Sequence, residues 1–154
     1  MILLGQPSRL KKGPDMADGD DFNGQVIEEF RANGGKVGGY FAGAPLLLLH
    51  HNGAKTGTER VNPLVYQQVG GSYAIFGSAG GQPRDPQWFR NLIAHPDVTV
   101  EVGTTTARVR ARVADPRERA AIWATQKERM SNFADYEKSA APREIPVILL
   151  DPVA

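Results

Sequence analysis

Residues 46–66 constrain the fold of this chain more than any other stretch. An apolar run at 46–49 is followed by a polar loop between Gly53 and Gly57, and then by a β-rich run at 60–68. Two such runs joined by a glycine-bounded loop are typical of paired strands. The unbroken leucine run predicts that the first strand is buried on both faces.

The remaining pattern alternates short strands with helices. Too few long helices separate the strands for a parallel doubly wound sheet, so an antiparallel barrel of about six strands with helices packed outside is expected, an α+β fold. Pro63 predicts an edge position or a bulge in the second strand, because proline has no N–H to donate. The predicted strands are 45–50, 60–68, 72–77, 98–102, 106–113 and 145–150. The predicted helices are 22–33, one that opens at 85–86 and ends at 95–96, 115–128 and 130–140.

Three helix starts carry capping signals. Asp20 or Asp21 is expected to cap the first helix, and Asp85 followed by Pro86 is expected to open the second. The sequence 115–118 (Asp-Pro-Arg-Glu) has the spacing of a capping box at the start of the third.

Size and composition fit one domain, which we place at 21–154 after a flexible tail at 1–20 that contains a second candidate start at Met16. The chain has 154 residues, a formal net charge of +1 and no cysteine. The small net charge argues against nucleic-acid binding, and the lack of cysteine excludes thiolate catalysis and disulfides. No apolar run could span a bilayer. The apolar residues 2–4 and the basic residues Arg9, Lys11 and Lys12 would give at most weak association with a membrane surface.

The loop between the first two strands is rich in groups that bind phosphate. Gly53 and Gly57 allow close approach of the backbone, while Lys55 and Arg60 add charge and Thr56 adds a hydroxyl. A solvated turn with ordinary surface cations is the alternative. The loop is not a P-loop, because no glycine directly precedes the lysine and a strand follows.

Other patterns offer little catalytic machinery. His50 and His51 would point to opposite faces of a strand, and no metal site is predicted. Ser78 lies in no nucleophile elbow. Chemistry supplied by a cofactor suits this pattern. An aromatic and amide set could line a pocket for a flat ring, although core packing is the alternative for each member. This set comprises Tyr66, Trp88, Asn91, Phe133 and Tyr136.

Taken together, several segments in order resemble the deazaflavin-dependent nitroreductase family of the split β-barrel flavin/deazaflavin oxidoreductases. The resemblance runs from about residue 22 to residue 152. It rests on the segments 22–23, 28–35, 43–49, 53–57, 60–64, 86–92, 95–98, 133–136 and 145–147.

The resemblance implies a split β-barrel that binds reduced coenzyme F-420, a deazaflavin with a phosphate and a glutamate tail. It also implies hydride transfer to an electron-poor acceptor such as a quinone, an enone or a nitroaromatic. The tail site would comprise Lys55, Thr56 and Arg60. The wall around the coenzyme would comprise Asn62, Pro63, Tyr66, Ser78, Trp88 and Asn91. The substrate pocket would comprise Met130, Phe133 and Tyr136, with Tyr136 and Ser78 as the candidate catalytic residues.

The chain departs from some members of that family. Ala54 and Ala79 stand where basic residues can occur, which weakens the anion site, and Arg84 is a candidate replacement. Met130 and Phe133 stand where tyrosines occur in the nitroreductase that activates nitroimidazole prodrugs. Two hydroxyls are therefore missing, which weakens the expectation of activity on those compounds.

Alternative functions share the fold. One is a split-barrel oxidoreductase that binds FMN, another is a non-catalytic deazaflavin carrier, and a third is a quinone reductase held at the membrane by the tail. A small-molecule acceptor and a homodimer are the expected partners. The expected location is the cytoplasm or the inner face of the membrane.

Overall fold

The computed structural model describes residues 16–153, with side chains described from Phe22 onward except that of Tyr40. The strands are β1 (Leu46–Asn52), β2 (Glu59–Val69), β3 (Ser72–Phe76), β4 (Asp97–Val102), β5 (Thr105–Val113) and β6 (Val147–Pro152). The α-helices are α1 (Met16–Ala32), α2 (Gln87–Ala94), α3 (Pro116–Arg129) and α4 (Asn132–Ala140). Short 3-10 turns occur at Gly39–Phe41 and Ala79–Gly81.

The strands close into an antiparallel barrel in the order β1-β2-β3-β6-β5-β4. The predicted antiparallel barrel with external helices is therefore confirmed. Asn52 pairs with Glu59, so one end of the barrel carries the loop at 53–58. We call this the loop end. The β2–β3 and β4–β5 turns lie at the other end, because β1 runs antiparallel to both β2 and β4.

Strand β1 is buried on both faces, as its leucine run predicts. Leu47 and Leu49 point into the barrel and join an interior cluster with Trp88 and Leu92 of α2, which closes the loop end. Leu46 and Leu48 point outward and pack against α1. A second outer layer forms where α3 and α4 cover β3 and β6. Because successive side chains of a strand point to opposite faces, this one apolar run contributes to two separate cores.

Among residues 16–153, no strand pairs with the first half of β2 on the side that faces away from β1. Strand β3 pairs only with residues 66–69 of β2, although β1 pairs along 59–65. The Tyr66 N–H donates to the Pro45 carbonyl at 3.0 Å, so alternation turns the nitrogen of Pro63 away from β1 and toward the unpaired side. Pro63 therefore lies at a local edge, as predicted, although the strands form a closed barrel.

Two helix starts differ from the expectation. Helix α1 begins at Met16, so Asp20 and Asp21 lie within it rather than at its cap. Acidic residues are favourable throughout the first turns of a helix, so composition alone did not locate the cap. Residues 1–15 of the predicted tail lie outside the described residues.

Asp85 does not cap α2, since Pro86 occupies the N-cap position without a side-chain cap. The Asp85 carboxylate is bound by Arg143 instead. The predicted capping box of α3 is confirmed: Asp115 accepts from the Glu118 N–H at 2.8 Å, and Glu118 accepts from the Asp115 N–H at 3.0 Å. Within residues 16–153, no helix is long and apolar enough to cross a membrane.

Candidate active site

The loop at 53–58 is held by its own backbone. The Gly53 N–H donates to the Thr58 carbonyl, and the Gly57 N–H donates to the Gly53 carbonyl, both at 2.9 Å. A Cβ on Gly53 would lie 2.6 Å from Thr56 Oγ1, and Gly57 has a φ of 72°. Both glycines are therefore required for this turn, as the sequence indicates.

Donors on this loop remain available to a ligand. Lys55 and Arg60 are exposed, and neither makes an ion pair with any described residue. The backbone N–H groups of Lys55 and Thr56 likewise have no acceptor among the described residues. Two adjacent amides and two uncompensated cations suit an anion, so the residues present fit a phosphate-bearing cofactor tail.

A buried polar network supports this loop from inside the barrel. His51 is 3 % exposed and Asn91 is fully buried. The His51 Nε2 lies 2.7 Å from Asn62 Oδ1, and its Nδ1 lies 3.0 Å from Asn91 Nδ2. Asn91 Oδ1 accepts from the Ala54 N–H at 2.9 Å. The network therefore joins β1, β2 and α2 to the loop.

Strand β2 contributes three of the predicted wall residues, two on its unpaired half and Tyr66 where the pairing with β3 begins. Asn62 faces the barrel interior opposite Leu49, whereas Pro63 faces outward opposite Leu48. Tyr66 is half-buried on the interior face, and its ring meets that of Tyr73 edge-on at 5.5 Å. Burial raises the pKa of Tyr66, so its hydroxyl stays protonated at neutral pH.

The turn after β3 carries Ser78 and is held by an arginine that sequence reasoning missed. Arg143 donates to the carbonyls of Gly77, Ser78 and Gln82 at 2.8–3.1 Å. It also pairs with Asp85 at 2.7 Å. Ala79 has a φ of 49°, a left-handed conformation that is unusual for a residue with a side chain.

Helix α4 packs directly on this turn and brings Tyr136 to the same region. A Cβ on Gly81 would lie 2.9 Å from Ser139 Cβ and 3.2 Å from Tyr136 Cα. The Tyr136 hydroxyl accepts from Asn132 Nδ2 at 3.2 Å. The structure therefore brings Tyr136 close to the Ser78 turn.

The other predicted site residues are packed in cores. Trp88 is buried in the interior cluster, which fits the core-packing alternative. Phe133 is buried between Phe76 and Trp123, with ring centroids 5.6 and 6.1 Å away. Met130 is half-buried beside this cluster. Direct ligand contact by these side chains remains a prediction.

Two residues that support the site, His51 and Arg143, differ in how far the sequence predicts them. The alternation used to separate His50 from His51 also places His51 on the interior face with Leu49, so its burial could have been predicted. Arg143 gave no such signal, because its partners lie far away in the chain. Within the described range, no group of His, Asp or Glu side chains could hold a metal ion.

Comparison with known proteins gives evidence on the family to which this chain belongs. The family model described as F-420H(2)-dependent quinone reductase matches residues 24–152. This is most of the chain. The chain belongs to the F-420H(2)-dependent quinone reductase family.

Relatives agree with that assignment. An F-420H(2)-dependent quinone reductase of Mycobacterium tuberculosis is 39% identical over 124 residues, which cover 79% of this chain and 83% of the relative. A solved F-420-H2-dependent reductase has a TM-score of 0.64 at 33% identity and covers 70% of this chain and 94% of its own. A structure described as a domain-swapped dimer has a TM-score of 0.65 at 29% identity and covers 89% and 100%.

Membership of this family confirms several predictions made from the sequence. The split-barrel fold, the oxidoreductase class and the dependence on a deazaflavin rather than FMN agree with the family. The assignment of individual residues to the site is not tested by these comparisons.

Proposed function

We propose that this protein reduces a quinone with reduced F-420 as hydride donor, at a site at the loop end that we call the cleft. This site would lie between the 53–58 loop, the unpaired half of β2 and the Ser78 turn. The deazaflavin ring supplies a hydride from its C5. The residues of the chain bind, orient and exclude water.

The available donors of the 53–58 loop and of Arg60, near the start of β2, carry this proposal. Lys55 and Arg60 are exposed, and neither forms an ion pair with a described residue. Together with the backbone N–H groups of Lys55 and Thr56, these cations would bind the phosphate and the acidic tail. The loss of basic residues at Ala54 and Ala79 makes the remaining cations more important.

Strand β2 would support the ring. Asn62 and Tyr66 present polar groups from the interior face, whereas Pro63 is buried on the outward face and leaves its backbone position without an N–H donor. Behind them, α2 and the interior cluster close the barrel with Trp88 and Leu92. This packed wall would exclude water from the side of the bound ring that it contacts, which would favour hydride transfer to the acceptor.

Helix α4 would define the acceptor side. Tyr136 packs against Phe133, with ring centroids 5.2 Å apart, and lies next to the Ser78 turn. An aromatic surface with a phenolic hydroxyl suits a planar quinone, whose reduction requires a proton as well as a hydride. We assign Tyr136 the role of orienting the quinone or supplying that proton.

Fluorescence titration of oxidised F-420 with the purified protein tests the proposal, with FMN in a parallel cell. Saturable quenching by F-420 alone is expected, and Lys55→Ala should weaken it. Lys36→Ala is the matched control, because Lys36 is also exposed and unpaired among the described residues. It follows Gly35, which approaches Gly103 at the opposite end of the barrel.

Turnover separates the remaining alternatives. Oxidation of reduced F-420 that depends on a quinone would support the reductase. Tight binding without oxidation across quinones, enones and nitroaromatics would instead support a carrier. Preference for FMN would reject the site assignment.

Homodimer formation and membrane association form a separate part of the proposal. Light scattering tests the dimer, for which the domain-swapped relative is a precedent. Liposome sedimentation of the full chain and of a form lacking residues 1–15 tests the tail. Equal binding of both forms would reject a membrane role for the tail and leave a cytoplasmic enzyme.

A further inference from the structure

The buried network around His51 has a defined hydrogen-bond direction. A neutral imidazole donates from one nitrogen and accepts at the other, and the choice follows from its neighbours. Two groups that can only donate fix the orientation of the side-chain amides of Gln87 and Asn91, of which Asn91 contacts His51. These donors are the backbone N–H of Ala54 and the guanidinium of Arg90.

Asn91 is oriented by two donors. The Ala54 N–H binds one end of its amide at 2.9 Å, which must therefore be the oxygen. Arg90 donates to Gln87 Oε1 at 3.1 Å, so Gln87 presents its Nε2 to the same Asn91 oxygen, also at 3.1 Å. The other end of the Asn91 amide, its NH2 group, consequently faces His51.

His51 passes this direction on to Asn62. Its Nδ1 accepts from Asn91 Nδ2, so the proton of the neutral ring is on Nε2. The Nε2–H therefore donates to Asn62, which must turn its oxygen toward His51. The Asn62 NH2 group is left without an acceptor among the described residues. It stands on the unpaired half of β2.

We infer that His51 is a positioning residue that fixes Asn62 as a hydrogen-bond donor toward the cleft. Asn62 then binds an acceptor on the bound ring, a carbonyl oxygen or an unprotonated ring nitrogen, and does not bind a donor. The same network includes the bond from the Ala54 N–H to Asn91, so it joins the ring-facing amide to the base of the anion loop. This inference rests on the proposed function.

The surroundings of His51 keep it neutral. Burial lowers its pKa and the positive charge of Arg60 lowers it further, although the bond to Asn62 opposes them. Arg60 stands directly opposite His51 in the β1–β2 register, whereas α2 faces it with the uncharged Asn91. Protonation would place a donor on Nδ1 against the Asn91 NH2 group and disrupt the network.

Nitrogen NMR of the free protein tests the network without any cofactor. One imidazole should show a protonated Nε2 and an unprotonated Nδ1 at pH 7, and His51→Gln should remove that signal set. The opposite tautomer, or a cationic ring at this pH, would overturn the inference.

Binding measurements test the function of the network. Gln can accept from Asn91 and donate to Asn62 through its own amide, so His51→Gln should bind F-420 within about threefold of wild type. His51→Leu keeps apolar volume but has no polar atoms, and it should weaken binding at least about tenfold. Equal affinities of the Gln and Leu variants would overturn the inference.

Comparing His51→Leu in wild type and in an Asn62→Ala protein shows whether His51 acts through Asn62. If His51 acts through Asn62, His51→Leu should weaken binding of the tail-free deazaflavin ring much less in this background than in wild type. An undiminished effect would show that His51 supports the fold rather than the amide. Wild-type protein that fails to bind F-420 would reject the proposed function instead, and the NMR result would still stand.

Discussion

The guanidinium of Arg143 lies 2.7 Å from the carboxylate of Asp85 and also binds the carbonyls of Gly77, Ser78 and Gln82. One side chain from the segment before β6 thus holds the turn that carries a proposed site residue. Its side chain is 11 % exposed, so these bonds are largely shielded from water.

Arg143→Ala should reduce the free energy of unfolding by about 3 kcal/mol, because it leaves the Asp85 carboxylate and the carbonyls of Gly77 and Gln82 without their donor, while the Ser78 carbonyl keeps the Gly81 N–H. Urea unfolding measures this loss. Arg110→Ala is the control, since its ion pair with Asp97 is 61 % and 65 % exposed and should contribute at most about 1 kcal/mol. Equal losses in the two variants would contradict the role of Arg143.

Gly81→Ala should destabilise the protein by about 2–4 kcal/mol, because a left-handed φ of 84° is combined with a collision against α4. Gly80→Ala isolates the backbone effect. Gly80 also has a positive φ, but a Cβ there would meet nothing within 4 Å, and the expected cost is about 1 kcal/mol. Thermal unfolding of both variants gives the difference, and equal melting temperatures would argue against tight packing of α4 on the Ser78 turn.

Lys55→Ala should weaken binding of F-420 about tenfold and leave binding of the tail-free deazaflavin ring unchanged, because the lost charge faces the tail. Titration of both ligands with wild type and variant checks this. Raising the ionic strength should weaken wild-type binding of F-420 more than binding by the variant. A similar loss for both ligands would mean that Lys55 acts on the ring or on the fold.

Tyr136→Phe should lower kcat for quinone reduction at least about tenfold without changing the Kd of F-420, since only the acceptor side loses a hydroxyl. Stopped-flow oxidation of the reduced coenzyme separates the chemical step from binding. A weakened coenzyme affinity with unchanged kcat would place Tyr136 in the coenzyme wall rather than in the quinone pocket.

The stability of the protein should decline in acid partly through Glu101. Hydrogen bonds from Arg31 and His50 hold its pKa at about 2, below the ordinary value of 4.5. A lowered pKa stabilises the fold above the unfolded-state value, and this stabilisation is lost as the pH falls from about 5 toward 2. Glu101→Gln should therefore flatten the pH dependence of urea unfolding in that window. Because Arg31 is half exposed, we expect an effect of about 1 kcal/mol.

Local patterns in the sequence were sufficient for the elements of this fold. Apolar runs, alternation and turn residues located all six strands to within about two residues, and the leucine run of β1 predicted its two buried faces. The glycine-bounded loop with Lys55 and Arg60 was also visible, because turn conformation and charge are properties of neighbouring residues. Family resemblance added the cofactor.

Only the tertiary structure decided how the side chains converge. Barrel closure brings Asn91 to His51 across 40 positions, and Arg143 reaches the Ser78 carbonyl across 65. The sequence around Asp85 predicts a helix cap, yet in the structure its carboxylate binds the distant Arg143 and does not cap the helix. Hydrogen-bond direction, burial and pKa depend on such distant contacts, which hydrophobic periodicity and capping patterns do not encode.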